Sequence, residues 1–193
     1  MSRSGQIVPG NRSRFGSGQT ASIQASRRTS PGSRGAVVKA RVVRHTALTS
    51  SLGQHVTYFG REGVTHDGDK ARLFGPEANN VDVDAFTAWC RDDRHHFRLI
   101  VPPDDALEME DLRAFTRDLA PQMEKDLGTG LDWVAVDHWN TEHPHVHLIV
   151  RGRRDDGQDL MIARDYTKEG MRDRARDMIT LGTVFIPWRF DPG

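Results

Sequence analysis

The sequence predicts an α/β domain of two layers, a central and mainly antiparallel sheet with helices packed on one face. Three observations carry this. Strand-like and helix-like segments alternate, then two strand-like runs stand side by side before a last helix. Those runs, 132–138 and 145–151, are separated by a short polar turn containing Pro144, which suits a hairpin near the middle of the sheet. Segment 111–127 carries apolar residues at helical spacing.

Taken in order, residues 1–35 are rich in Ser, Gly and Arg, with few apolar residues beyond Ile7, Val8, Phe15 and Ile23. Such a segment cannot offset the entropy of ordering by burial and is expected to be a disordered basic tail. Order begins at 36–43, where β-branched residues predict a strand. From 50 to 60, Leu52, His55, Val56 and Phe59 have helical spacing, with Gly60 or Gly63 as the stop and Tyr58 on the last turn. Residues 64–80 hold Asp-Gly and Gly-Pro pairs and read as loop, with room for a short strand at 71–74. A short helix follows at 82–90, then a strand at 95–101 stopped by Pro102 and Pro103. In 111–127, Leu112, Phe115, Leu119, Met123 and Leu127 line one helical face, and Gly128 closes the helix. After the two adjacent strands come a short strand at 160–163 and a final helix at 166–180. Residues 36–180 form the expected domain, and 181–193 a divergent end.

Charge is balanced overall, 27 basic against 27 acidic residues, but not along the chain. No Asp or Glu precedes Glu62, while ten of the basic residues fall in the first 61. The start of the chain is therefore either an arm for a polyanion or a solvated leader without a role. Cys90 is the only cysteine, which excludes an intramolecular disulfide and thiolate cages and fits a reducing cytoplasm. The longest apolar stretches, such as 99–101, are far short of the roughly 20 residues of a membrane span. Residues 1–10 lack the apolar stretch of a signal peptide.

Four of the nine histidines lie within 138–147. In a strand, alternate side chains share a face, so His145 and His147 present their imidazoles together. His138, at the end of the preceding strand, can reach across the turn as a third ligand, leaving positions open for substrate. His143 precedes Pro144, which holds it extended and away from the pair, and so suits a supporting or phosphate-contacting role. Imidazole ligands suit zinc and manganese; magnesium is an atypical occupant.

A metal with open positions polarises a phosphodiester, and the attacking group must then be found. The chain has only two tyrosines. Tyr58 has Arg61 nearby to attract phosphate and His55 three residues back on the same helical face, although a tyrosine at a helix end also serves as packing. Tyr166 reads as structural. Arg41, Arg44 and Arg61 are candidates for a nucleic-acid backbone, and Trp139 suits either base stacking or the core.

The segment His138-Trp139-Asn140-Thr141-Glu142-His143-Pro144-His145-Val146-His147 resembles the third motif of His-hydrophobic-His endonucleases, His-x-Asp-x-x-His-x-His-x-His. Among these it resembles in particular the plasmid mobilisation relaxases of the Ti-plasmid border-nicking type. The Tyr58 segment looks like the nucleophile motif, and runs 91–101 and 127–136 look like framework segments, so the resemblance spans roughly 36–180. It implies a relaxase-like fold and a site- and strand-specific nicking enzyme acting on single-stranded DNA at an origin of transfer. Tyr58 would attack the scissile phosphate to form a 5′-phosphotyrosyl link, and His138, His145 and His147 would hold a divalent ion (Mn, Mg or Zn). Accessory relaxosome proteins and a type IV coupling protein are implied as partners. Two departures stand out. Asn140 occupies the acidic position, leaving Asp137 or Glu142 as substitutes and activity weakened. The resemblance also ends near Thr180, as in a truncated product. The alternatives are a truncated, non-catalytic DNA-binding remnant, and a rolling-circle replication initiator or transposase of the same superfamily.

Overall fold

The computed structural model describes residues 38–45, 51–62, 64–70, 72–103, 106–107, 109 and 111–180. The expected tail at 1–35 and the divergent end at 181–193 lie outside these residues. The elements are β1 (Lys39–Arg44), α1 (Ser51–Glu62), α2 (Val83–Trp89), β2 (His95–Val101), α3 (Leu112–Leu127), β3 (Trp133–His138), β4 (His145–Arg151), a π-helical turn (Tyr166–Gly170) and α4 (Met171–Thr180).

The strands form one antiparallel sheet in the order β1-β2-β4-β3. Alternation along each strand sorts side chains to two faces. On one face, Phe97, Leu99 and Val101 of β2, Val146, Leu148 and Val150 of β4, and Trp133 and Ala135 of β3 pack with Leu112, Phe115, Leu119 and Met123 of α3 and with Met171, Ala175 and Met178 of α4. Burying each large side chain contributes about 1.5–3 kcal/mol, so this face supplies most of the stability. On the other face Val134, Val136 and Ile149 pack with Leu52 and Val56 of α1 and with Phe86 and Cys90 of α2. The α/β class and antiparallel sheet are as expected, but helices cover parts of both faces, because β3 is buried on both sides along its whole length.

The helix predicted at 111–127 has the ends its sequence asks for. The Asp111 carboxylate accepts from the Arg113 and Ala114 amides at 2.8 and 2.9 Å, satisfying two otherwise unpaired donors. Gly128 takes a left-handed conformation, φ 67°, and its amide donates to Glu124. Asp82 caps α2 in the same way.

Three local expectations need correction. The β3–β4 hairpin is not at the middle of the sheet: β4 is internal and β3 ends the ladder, flanked by Phe74, which exchanges backbone bonds with Ala135 at 2.8 and 2.9 Å. Residues 160–163 form no strand. Instead β4 runs on into a tight turn closed by an Arg153–Asp159 bridge, and the Leu160 amide donates to Gly152. The final helix opens with a π turn at Tyr166–Gly170. There the buried Tyr166 hydroxyl donates to Asp126, whose carboxylate also takes two bonds from Arg174. Burial and the Asp126 charge push the Tyr166 phenol well above its usual range, so it is a packing residue.

Candidate metal centre and active face

The side chains of chemical interest project from the face that carries α1. His145 and His147 alternate with Val146 and Leu148, which point into the main core. The register pairs His138 with His145, bringing the end of β3 beside the start of β4. The three rings stand 4.6–5.3 Å apart between centroids. One ligand atom from each lies within 4.8 Å of the others, which forms a group able to hold a metal ion.

The tautomers suit that role. His145 Nδ1 donates to the His143 carbonyl at 2.9 Å, which makes Nε2 the unprotonated nitrogen of that ring. That Nε2 is 3.1 Å from His147 Nε2. Two imidazole nitrogens sharing a tetrahedral ion stand about 3.4 Å apart, so the pair is close to ligand spacing already. Burial, and then the neighbouring His138, His145 and Arg98, lower the His147 pKa to about 3, which keeps it in the neutral state that binds metal.

The other sequence-predicted residues are distributed as follows. Tyr58 is 55% exposed on α1, the helix whose Leu52 and Val56 pack against β3 and β4 on the triad's face. His55, one turn earlier, is half-buried there; burial, then Arg98 and Arg41, lower its pKa. Arg41 is exposed on β1 and shares the triad's face, whereas Arg44, three residues on, falls on the opposite face. The Arg61 side chain lies outside the described residues. His143 and Asn140 are exposed in the turn between β3 and β4. Asp137 points to the opposite face from His138, and its buried carboxylate accepts from Arg113 Nε and Trp139 Nε1, both at 3.0 Å. Trp139, half-buried, packs against the main core.

Two features were missed in the sequence. Arg98 stands in the apolar strand β2, on the triad's face, directly opposite Arg41. Nearby is a second histidine group: His45 and His96 share a hydrogen bond of 2.7 Å, and the His55 ring is 6.0 Å from that of His96. His55 Nδ1 and His96 Nε2 are buried without a hydrogen-bond partner. The signal for Arg98 was a single charge inside an apolar strand. At the far end of the same face Asp93 clamps Arg151 at 2.7 and 3.2 Å and Arg153 at 3.0 Å, locking β4 to the segment before β2. Cys90 beside them is pushed up to about 12 by burial and Asp93, an inert thiol.

A three-imidazole group able to hold a metal ion, on an antiparallel sheet with arginines on the same face, is compatible with a nuclease domain. Residues 81–178 match the relaxase family described as MobA/VirD2-like, nuclease domain. The chain belongs to that family, a relaxase of the His-hydrophobic-His superfamily. The match covers the histidine triad and Arg98 and begins after Tyr58. No curated protein matches the chain. Among the described residues no helix is long and apolar enough to cross a membrane.

Proposed function

We propose that this chain nicks one DNA strand at an origin of transfer through a covalent tyrosyl intermediate and so initiates plasmid mobilisation. The observation that carries the proposal is the convergence of His138, His145 and His147 at ligand spacing in a relaxase nuclease domain. These residues would hold a divalent cation of the manganese, magnesium or zinc kind, which supplies positive charge to the scissile phosphate when bound. His143 fixes the His145 tautomer through its carbonyl, and the Arg98 and Arg41 guanidinium groups draw the DNA backbone to the same face.

The phenolic oxygen of Tyr58 attacks the phosphorus, and the bond from phosphorus to the 3′ oxygen breaks. The phenol gives up its proton, the departing oxygen takes one up, and the products are a 5′-phosphotyrosine and a free 3′-hydroxyl. The energy of the cleaved ester stays in the new one, so the strand can be rejoined without ATP. Accessory relaxosome proteins and a type IV coupling protein are the partners this function requires.

The test uses labelled single-stranded DNA carrying the origin of the chain's own replicon, with manganese, and detection of a protein–DNA adduct under denaturing conditions. The adduct should form with the wild type and with Tyr166→Phe, and vanish with Tyr58→Phe. An adduct that survives Tyr58→Phe would overturn the assignment of the nucleophile. Binding to origin DNA without any adduct would instead establish a non-catalytic relaxase, a reading favoured by Asn140 at the acidic position of the motif. Adducts formed at a replication origin or transposon end would move the substrate within the superfamily.

A further inference from the structure

We propose that Arg41 and Arg98 form a phosphate clamp beside the histidine triad, gripping the phosphodiester adjacent to the one that is cut. The inference rests on the nicking function proposed above and adds a subsite to it. The two arginines are directly opposite each other on neighbouring strands, Arg41 of β1 against Arg98 of β2, and both project from the triad's face. Like charges placed directly opposite on a sheet are destabilising, and β2 is otherwise a run of apolar and histidine side chains. An anion seated between the two guanidinium groups turns the repulsion into a bidentate grip.

The spacing fits. Arg98 pairs with Ile149 and His147 with Ile100, so Arg98 lies one strand across and two residues along from the ligand. In sheet dimensions that is roughly 8 Å between backbones, within reach of a long side chain when a phosphate is held at the triad. Arg98 is half-buried and Arg41 exposed, so the pair has a fixed floor and an open rim. The local field is positive: burial and then Arg41 lower the proton affinity of Arg98, and both arginine charges act on His55. The Asp93 and Asp132 carboxylates at the other end of the sheet are taken up by Arg151.

The experiment measures binding of the full chain, without metal, to a fluorescent oligothymidylate over a range of salt. Arg98→Leu, which suits a strand, should bind about tenfold more weakly at low salt, with the salt slope reduced by about 0.7, one phosphate contact on a single strand. Arg98→Lys should keep the slope and lose part of the affinity, since an ammonium cannot make the planar double contact. Thermal stability of Arg98→Leu, followed alongside, separates a loss of binding from a loss of fold. An unchanged affinity and slope, or a marked loss of stability showing that Arg98 serves a structural ion pair, would overturn the clamp. A chain that never forms an adduct yet loses slope on Arg98→Leu keeps the clamp and removes the nicking function. A chain that forms adducts with an unchanged slope does the opposite.

Discussion

His96 is only 1% exposed and faces other cations and imidazoles, so its charged form is disfavoured. Burial first, then His45, His55, Arg98 and His95, push its pKa down to about 3, against 6.5 for an unfolded chain. Between those values the unfolded chain holds a proton that the folded chain refuses. Stability therefore falls as pH drops below about 6.5, at a slope approaching 1.4 kcal/mol per pH unit for this group. The denaturant midpoint of the metal-free protein should decline between pH 6.5 and 5, and His96→Asn should flatten the decline. An equal slope in wild type and variant would show that His96 is not held neutral. The triad was legible in the sequence because the alternation of His145 and His147 is local, and the turn length brings His138 to them. The facing of His96 and Arg98 was not, because an apolar run such as 95–101 reveals its two faces only once the register with β4 is known.

Helix α3 was read almost to the residue, since its apolar spacing and its Gly128 stop agree. The one discord is Pro121, exposed in the interior of the helix, which removes a backbone donor and crowds the carbonyl one turn back. Packing of Phe115, Leu119 and Met123 into the core offsets that cost. Pro121→Ala should stabilise the domain by about 2 kcal/mol, the regained helical bond less the entropy that proline removes from the unfolded chain. Chemical denaturation decides it, and a loss of stability would mean that the proline bend seats those three side chains. Elements that depend on distant partners were harder to read. The π turn before α4 is dictated by Tyr166 reaching Asp126 and by Gly170, where an added Cβ would lie 2.6 Å from the Tyr166 ring. The stretch 160–163 has strand-like composition, yet β4 already has β2 and β3 on its two edges, so no free edge of β4 is left for it to pair with.

Across the molecule, many acids and bases pair, as Asp93 does with Arg151 and Asp126 with Arg174, but charge is still unevenly placed. The triad's face presents Arg41 and Arg98, while much of the surplus acid lies elsewhere, including Asp67, Asp69 and Asp111, which border a cleft with Asp137 on the other side of β3. The first 35 residues carry six arginines and no acid. If this segment acts as an arm for the polyanion, each arginine that meets a phosphate releases counterions and adds to the salt slope, whereas a solvated leader adds nothing. Deleting residues 1–35 should therefore lower the salt slope for oligothymidylate by up to about 4, if all six make contact, and weaken binding most at low salt. Manganese affinity at the triad should not move, because its ligands and their support lie wholly on β3, β4 and the turn between them. A slope unaltered by the deletion would assign all the DNA contacts to the folded face. The origin-specific adduct would then have to be positioned by that face and its arginine pair alone.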